Sequence, residues 1–378
     1  MNIKTAHPSF ISIEFQLMLL LLKSSLVKEE VEVVKKFIEE KQIDWGEFEK
    51  KVLCHKITMP VFRGLNTLPS YLINQEIYAN YKERVTIILF KNLSLSKEVL
   101  LLSNIFEEEK IDVVFYKGSA LSYQLFEALN SRSFGDIDFL TRKEDLKKIE
   151  EVLLKRNYTP EYTLSDKETL DGYLQEEPEY NFDLYENGRR KYHVEPHHAF
   201  IYPFYVIDLS FEEIKKHIVK VDINGKKLNT FDINFVPIIL SIHHGGKDGW
   251  SILKHIYDWY ALMKKYDQEI DWQAVQNTAI KFDIEVYLYV SLAILEKLMD
   301  IAPPPLLKAA IQNNKNQKIA TRIIRKIHSN DTGKKTESGY AKLWFRFKTS
   351  RKLSTKRKMI GRIFSILWTK IISQFKRS

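Results

Sequence analysis

The feature that most constrains this fold is an alternation of apolar runs and helical patterns over residues 111–155. A β-rich run, Ile111–Tyr116, leads directly into the turn Lys117–Ser119 and then into a helical pattern over Ala120–Leu129. A second extended run, Asp136–Leu140, precedes an amphipathic pattern over Lys143–Lys155. The order strand, glycine turn, helix, strand and helix predicts an α/β core in the middle of the chain.

Two Asn-Gly pairs further along predict β-hairpins, because both residues accept the positive φ angles of a tight hairpin turn. Asn187-Gly188 lies between the extended segments Tyr180–Tyr185 and Lys191–Glu195. Asn224-Gly225 lies between Ile218–Ile223 and Lys226–Thr230. We therefore expect a small mixed β-sheet that includes strands on both sides of residue 188.

Helical patterns flank this core on both sides. Apolar residues recur every three or four positions from about Ser9 to Glu109, with a helix start at Asp44, and helical character returns from Phe235 to about His328. We predict an α+β fold in which the small mixed sheet is flanked by N-terminal and C-terminal helical regions. The predicted boundaries are 1–109 for the N-terminal helical domain, 110–232 for the core, 233–328 for the C-terminal helical domain and 329–378 for a basic amphipathic tail.

Charge is distributed unevenly along the chain. The net charge is +9, but residues 315–378 hold 19 Lys and Arg against only Asp331 and Glu337, so the rest of the chain is mildly acidic. Such asymmetry predicts a polyanionic partner for the tail, either nucleic acid such as RNA or an anionic membrane surface. The single cysteine, Cys54, excludes an intrachain disulfide and favours a reducing compartment, which we take to be the cytoplasm.

Two apolar segments bear on the question of membranes. Phe15–Leu22 is too short for a span or a targeting segment, and we interpret it as the buried face of a first helix. Within Ile360–Phe375 the apolar residues follow helical spacing and cations lie on the opposite face, which is typical of a peripheral membrane contact at the inner face. Docking of this helix on its own protein is an equal alternative, and RNA binding through Lys356–Lys358 is a third.

The candidate chemistry begins with Asp136 and Asp138. On a strand, residues two apart project from the same face about 7 Å apart, so both carboxylates can bind one metal site while Ile137 turns into the core. Glu195, at the end of a later extended segment, is the best candidate for a third ligand. Few carboxylates together with phosphate oxygens suit Mg²⁺, with Mn²⁺ as the alternative ion.

The turn Lys117-Gly118-Ser119 is a candidate phosphate site. A small residue at a helix start lets backbone N–H groups approach phosphate, and the helix dipole favours the negative charge. The competing interpretation is an ordinary strand-to-helix turn that requires glycine.

Together these elements resemble the polymerase-beta-type nucleotidyltransferase superfamily, whose hallmark is Gly-Ser at a helix start, then Asp-x-Asp on a strand and later a third carboxylate. The chain also resembles a bacterial family of uncharacterised nucleotidyltransferases with the core Lys-Gly-x-x-Leu…Tyr…Arg…Asp-Ile-Asp. The matching residues are Lys117, Gly118, Leu121, Arg132, Asp136, Asp138, Glu195-Pro196-His197, His243-His244, Lys247, Trp250 and Asp258. The gap from Ser119 to Asp136 is longer than in the commonest form.

The resemblance implies a role for each matched residue. Asp136, Asp138 and Glu195 would be catalytic and hold the metal. Gly118 and Ser119 would cradle phosphate, and the cations would meet the nucleotide: Lys117, Arg132 and Lys247. For Arg132 a surface salt bridge is an equal alternative. The remaining residues would support the metal ligands or contact the acceptor: His197, His243, His244 and Asp258. Zinc is disfavoured, because adjacent histidines on a helix point in different directions.

The implied activity is Mg²⁺-dependent transfer of a nucleoside monophosphate from an NTP such as ATP to a hydroxyl or phosphate of an unidentified acceptor. Surface polysaccharide or other small-molecule biosynthesis would suit a tail that contacts a membrane. The alternative is a toxin-type nucleotidyltransferase that modifies tRNA or protein, and a non-catalytic scaffold is a weaker third. The sequence specifies neither the NTP nor the oligomeric state.

Overall fold

The computed structural model of the protein describes residues 9–24, 31–162, 169–223, 225–333 and 339–375, and for residues 24, 339 and 366–375 it describes the backbone alone. The N-terminal region is helical, with α1 at Ile13–Ser24, α2 at Val31–Glu40, α3 at Trp45–Cys54, α4 at Thr58–Leu65 and α5 at Gln75–Glu108. The predicted helix start is confirmed, since the Asp44 side chain accepts a 3.0 Å hydrogen bond from the backbone N–H of Glu47.

Five strands of the described residues form the central sheet, in the spatial order β1-β2-β5-β4-β3. Their bounds are β1 Val113–Phe115, β2 Ile137–Thr141, β3 Thr159–Pro160, β4 Phe182–Glu186 and β5 Arg189–His197. Only the β2–β5 pair is parallel among these strands, and the other pairs are antiparallel. The sheet is therefore mixed, and the predicted α+β class is confirmed.

The first predicted hairpin joins β4 to β5. Asn187 and Gly188 have φ angles of 51° and 72°, as a two-residue hairpin turn requires. The strands extend closer to the turn than predicted, because Glu186 pairs directly with Arg189. A second hairpin, β6 Ile218–Ile223 with β7 Lys226–Phe231, was also predicted; Gly225 has φ of 81°, while Asn224 lies outside the described residues.

Helices connect and flank these strands. Within the core lie α6 Gly118–Phe126, α7 Leu146–Lys155, α8 Leu170–Tyr173 and α9 Phe211–Lys215. Beyond β7 the chain forms α10 Val236–Leu240, a π-helical turn at Ser241–Lys247, α11 Leu253–Tyr266, α12 Trp272–Lys281, α13 Glu285–Met299, α14 Lys308–Ile311, α15 Asn314–His328, α16 Gly339–Thr349 and α17 Leu353–Phe375.

The two faces of the central sheet have different roles. Ile137 and Phe139 of β2 belong to a hydrophobic core shared with α5 and α7, and the Phe139 ring lies 5.2 Å from that of Phe106. Burying each such side chain contributes roughly 1.5–3 kcal/mol. Because side chains alternate along a strand, Asp138 projects from the opposite face. This alternation separates the hydrophobic core from the polar side chains of the candidate site.

A second hydrophobic core joins the two helical regions. Helix α1 is apolar on all sides, and Phe15–Leu22 is almost wholly buried apart from Gln16, against α3, α4 and α13. The predicted interpretation of Phe15–Leu22 as a buried helical segment is confirmed. Within the described residues no helix combines the length and apolar character needed to cross a membrane. The domain boundaries at 109, 232 and 328 stay predictions.

The described part of the tail docks on the body of the protein. Arg346 of α16 is 1% exposed, donates 3.1 Å to the carbonyl of Tyr205 and also donates to the carbonyl of Asp283. In α17, Arg362 pairs with Asp208 at 2.9 Å. Up to residue 365 the contacts therefore agree with docking on the protein itself. The side chains of residues 366–375, which carry most of the predicted amphipathic face, lie outside the described part.

Candidate active site

The parallel pairing of β2 with β5 brings two predicted metal ligands together. Asp138 is the direct neighbour of Glu195 in the register, so their side chains project from the same face of the sheet. Asp138 is 3% exposed, and Glu195 is half-buried. Alternate residues of β5 share this face, which adds His193 and His197 on either side of Glu195. The site is therefore a row of acids and histidines in the centre of the sheet.

His197 lies at the centre of three carboxylates. Its Nε2 atom is 3.3 Å from Asp138 Oδ1 and 3.4 Å from Glu195 Oε2, and its Nδ1 atom is 3.0 Å from Glu179 Oε2. Burial alone would lower the pKa of His197, but the three neighbouring carboxylates raise it to about 9. His197 is therefore an imidazolium at neutral pH and neutralises part of the acidic charge.

Glu195 and Asp138 respond differently to this environment. Burial raises the pKa of the Glu195 carboxyl, but His193, at 3.2 Å, and His197 outweigh it and hold that pKa well below its usual range. For Asp138, burial is the largest cause and is reinforced by Asp136 and Glu195, so its pKa is raised. The site therefore contains one carboxylate that is stabilised by cations and one whose negative charge is only partly compensated.

Lys117 contacts the metal-ligand candidates directly. Its Nζ atom lies 2.5 Å from Asp138 Oδ1, and the half-buried Lys117 has a raised pKa because the lowering effect of desolvation is outweighed by the Asp138 carboxylate and the other nearby acids. The structure thus places this predicted nucleotide-binding lysine on a carboxylate. Its contact with a triphosphate stays a prediction.

The donor set fits a divalent cation. Asp138 and Glu195 each offer a carboxylate oxygen, and His197 can offer a ring nitrogen once it loses its proton; these atoms lie within 4.8 Å of one another. Asp138 Oδ2 is buried and has no hydrogen-bond partner among the described residues. Carboxylate oxygens are the ligands that Mg²⁺ prefers. Asp136 is half-buried, directly precedes β2 and lies outside this three-residue group, although its charge acts on both Asp138 and Lys117.

The predicted phosphate turn has the backbone that glycine allows. Gly118 begins α6 with φ of +52°, a conformation that other residues rarely adopt, and Ser119 follows it as a buried residue. A Cβ atom on Gly118 would lie 3.6 Å from the carbonyl oxygen of Asp136, so the turn packs closely beside the carboxylate segment. The start of α6 and the segment that carries Asp136 and Asp138 therefore lie next to each other.

Arg132 and Asp258 form a buried ion pair that holds this turn. Arg132 donates from Nε to Asp258 Oδ1 at 3.0 Å and from Nη2 to Oδ2 at 3.1 Å, and its Nη1 donates to the carbonyl of Gly118 at 3.2 Å. Both residues are at most 5% exposed. The alternative prediction of a surface salt bridge for Arg132 is therefore wrong in its location, because α11 places Asp258 in the interior. His244 Nε2 lies 3.1 Å from the same carboxylate.

The adjacent histidines depart from the predicted geometry. His243 and His244 lie in the π-helical turn, and their Nδ1 atoms are 3.5 Å apart rather than pointing away from each other. The wider π-helical turn rotates successive side chains by a smaller angle than an α-helix does. With Asp248 they form a second group that offers ligand atoms within 4.8 Å of one another. The directional argument against zinc is therefore wrong, while any bound metal stays untested.

Lys247, at the end of the π-helical turn, connects this turn to the candidate site. Its Nζ atom lies 2.8 Å from Glu179 Oε2, and Glu179 in turn approaches His197. Lys247 is thus connected to Asp138 through two intervening residues, Glu179 and His197, and its contact with the nucleotide stays a prediction.

Two residues of this region were not selected from the sequence. Glu179 forms an isolated β-bridge with His197, and only strand pairing reveals it. Lys254 lies one helical turn before Asp258 on α11, and this spacing was the available signal. Burial and then Arg132 lower the pKa of Lys254 to about 8, against the opposing charges of Asp258 and Asp136. Its Nζ atom has no hydrogen bond or ion pair with any described residue.

Comparisons with known proteins bear on the identity of this arrangement. The profile of a family described as uncharacterised nucleotidyltransferase matches residues 41–300, a range that contains every candidate site residue. None of the curated proteins compared with the chain matches it. Among solved structures, the chain is similar to the crystal structure of an antigenic nucleotidyltransferase-like protein from Paracoccidioides brasiliensis. The sequence identity is 14%, the TM-score is 0.31, and the similarity covers 52% of this chain and 92% of that chain.

Proposed function

The chain belongs to the uncharacterised nucleotidyltransferase family, and we propose that it transfers a nucleoside monophosphate from an NTP to an acceptor hydroxyl or phosphate with the help of Mg²⁺. The observation that carries this proposal is the pairing of Asp138 with Glu195 on neighbouring parallel strands, with Asp138 Oδ2 buried and unpaired among the described residues. A buried carboxylate oxygen without a partner is unfavourable unless a cation or donor completes it.

The metal ligands would be Asp138 and Glu195, with Asp136 at the edge of the site. A bound divalent ion would neutralise the triphosphate and lower the pKa of the attacking hydroxyl. Lys117 and His197 already provide positive charge at these carboxylates. They keep Asp138 and Glu195 in a fixed orientation, so the carboxylates are positioned before any ligand arrives.

The phosphates would bind beside the Gly118 turn. Helix α6 begins there, and its first backbone N–H groups and dipole favour negative charge. Arg132 holds the turn through the Gly118 carbonyl, so its main role is to position the backbone. Lys254 is the cation on this side of the site that lacks an acidic partner within hydrogen-bond distance among the described residues, and we assign it to the triphosphate.

Replacing Lys254 with methionine is expected to weaken NTP binding by roughly 10- to 100-fold, because a charge-assisted hydrogen bond contributes about 1.5–3 kcal/mol. Methionine keeps most of the aliphatic volume. Equilibrium binding of a fluorescent NTP measures the effect. The matched control is Lys264→Met, an exposed lysine on the same helix that should leave binding unchanged. Equal binding by both variants would remove Lys254 from the phosphate site.

The activity itself is tested by incubating the purified chain with each labelled NTP, Mg²⁺ and cell extract. We expect label to move from one NTP to an acceptor, to stop when EDTA removes the metal, and to resume when Mg²⁺ is restored. Absence of both transfer and NTP binding would overturn the proposal.

The fate of the label separates the acceptor classes. Label that resists nuclease and protease would support a small-molecule or surface-polysaccharide precursor. Nuclease-sensitive label in tRNA, or label on protein, would instead support the toxin-type alternative.

A further inference from the structure

A groove of 390 Å³ lies on the surface formed by α15, α16 and the segment Gly245–Trp250. Its floor is apolar and includes Trp250, Ile319, Ile323 and Phe345. Gly245 is required here, because a Cβ atom on it would lie 2.6 Å from a ring carbon of Trp250. The close packing of Gly245 against Trp250 therefore shapes one side of the groove.

The rim of this groove is strongly cationic. No Asp or Glu is among the described lining residues. Six of the lining residues are Lys or Arg: Lys315, Lys318, Arg322, Lys326, Lys342 and Lys348. In the part of the chain that the structure describes, no carboxylate lies within 4 Å of the charged groups of Lys315, Lys318 or Arg322. At these three rim positions the positive charge beside the apolar floor is therefore not balanced by an acid of the described residues at contact distance.

We propose that this groove binds the phosphate headgroup and adjoining alkyl chain of an anionic lipid, a binding site beyond the proposed transfer activity. The cations are complementary to the phosphate, and the apolar floor is complementary to the alkyl chain. Either feature alone would fit a simpler ligand, since inorganic phosphate does not use an apolar floor and a neutral detergent does not use the cations.

The aromatic residues of the groove favour a lipid over RNA. Bases bind proteins by stacking on exposed aromatic faces. The Trp250 ring is 1% exposed, and it packs edge-on against Phe345, which also contacts Tyr287. Trp344 is the most exposed lining Trp or Phe among the described residues, at 58%, but Phe347 stacks on its ring at 6.0 Å and the Lys348 ammonium lies 4.9 Å from the ring centroid. These rings provide little stacking surface for bases, whereas a buried apolar floor accommodates an alkyl chain.

The groove also lies beside Lys247, at the edge of the candidate active site. Lys342 of α16 donates 2.7 Å to the carbonyl of Lys247, and the Lys247 ammonium contacts Glu179 beside His197. A lipid in the groove would therefore lie next to Lys247, which separates it from Asp138 and Glu195. This placement would keep the protein at a membrane surface with its candidate site close by.

The test is calorimetric titration of the full chain with dodecyl phosphate below its micelle concentration, compared with inorganic phosphate and dodecyl maltoside. Saturable binding of dodecyl phosphate alone is expected. The variant Lys318→Glu/Arg322→Glu should weaken it by at least about tenfold. The control, Lys82→Glu/Lys147→Glu, makes the same change in net charge at exposed lysines of α5 and α7 and should bind normally. Both double variants need wild-type melting temperatures.

Vesicle sedimentation provides the second arm. We expect the protein to bind phosphatidylcholine vesicles that contain phosphatidic acid and not to bind pure phosphatidylcholine vesicles. The Lys318→Glu/Arg322→Glu variant should lose this binding. Equal binding of dodecyl maltoside, or equal loss in both double variants, would overturn the proposal. The proposal would also be overturned if a transfer RNA bound through the rim cations and dodecyl phosphate did not bind. Neither arm contains NTP or divalent metal, so its result is independent of the proposed transfer.

Discussion

Replacement of Asp138 with asparagine is expected to reduce nucleotide transfer by about a thousandfold or more while the fold is retained. A carboxylate that positions a divalent ion supports several kcal/mol of transition-state stabilisation, which corresponds to a rate effect of this size. Asparagine has the same shape but no negative charge. The side chain is buried between Lys117 and His197. Strand β2 contains no other acid that could take its position.

The measurement is the initial rate of label transfer at saturating Mg²⁺, with the melting temperature recorded for each variant. The matched control is Asp112→Asn, an exposed aspartate just before β1 that pairs with Arg142. It removes one carboxylate outside the site and should leave the rate unchanged. A folded Asp138→Asn protein with wild-type transfer would exclude Asp138 as a metal ligand, and with it the proposed site.

Replacement of Asp258 with alanine is expected to lower the free energy of unfolding by about 3–5 kcal/mol, because the guanidinium of Arg132 would remain buried without its partner. The pair is bidentate and nearly inaccessible to solvent. Burial raises the pKa of the Asp258 carboxyl, but Arg132 and His244 together hold it well below its usual range, in agreement with a strongly stabilised carboxylate. Urea unfolding at neutral pH measures the change.

Two further variants separate the ion pair from general damage. Asp112→Ala removes an exposed partner of Arg142 and should change the unfolding free energy by less than about 1 kcal/mol. The double replacement Arg132→Met/Asp258→Leu should recover much of the lost stability, since neither the guanidinium nor the carboxylate of the pair is left without its partner. It should not recover transfer, because the Gly118 carbonyl loses the donor that holds it. A small effect of Asp258→Ala, similar to that of Asp112→Ala, would contradict the structural role.

Local chemistry in the sequence determined the core of this protein. The alternation at Ile137, Asp138 and Phe139 separates the faces of a strand, and Asn187-Gly188 supports only a few tight turns. These features predicted the strands and the α+β class, because the period of a strand and the conformation of a turn depend on residues close together in the chain. Glu195 was selected as a third ligand because it ends a later extended segment, and the parallel register of the two strands places it beside Asp138.

Only the tertiary structure decided which distant groups meet. Arg132 contacts Asp258 across 126 residues, and Lys247 contacts Glu179 across 68, so neither pair has a signature in local spacing. The approach of His243 to His244 depends on a π-helical turn that the sequence pattern did not predict. Because burial and neighbouring charge set the state of a side chain, the isolation of Lys254 and the cationic groove appeared only when the helices were packed together.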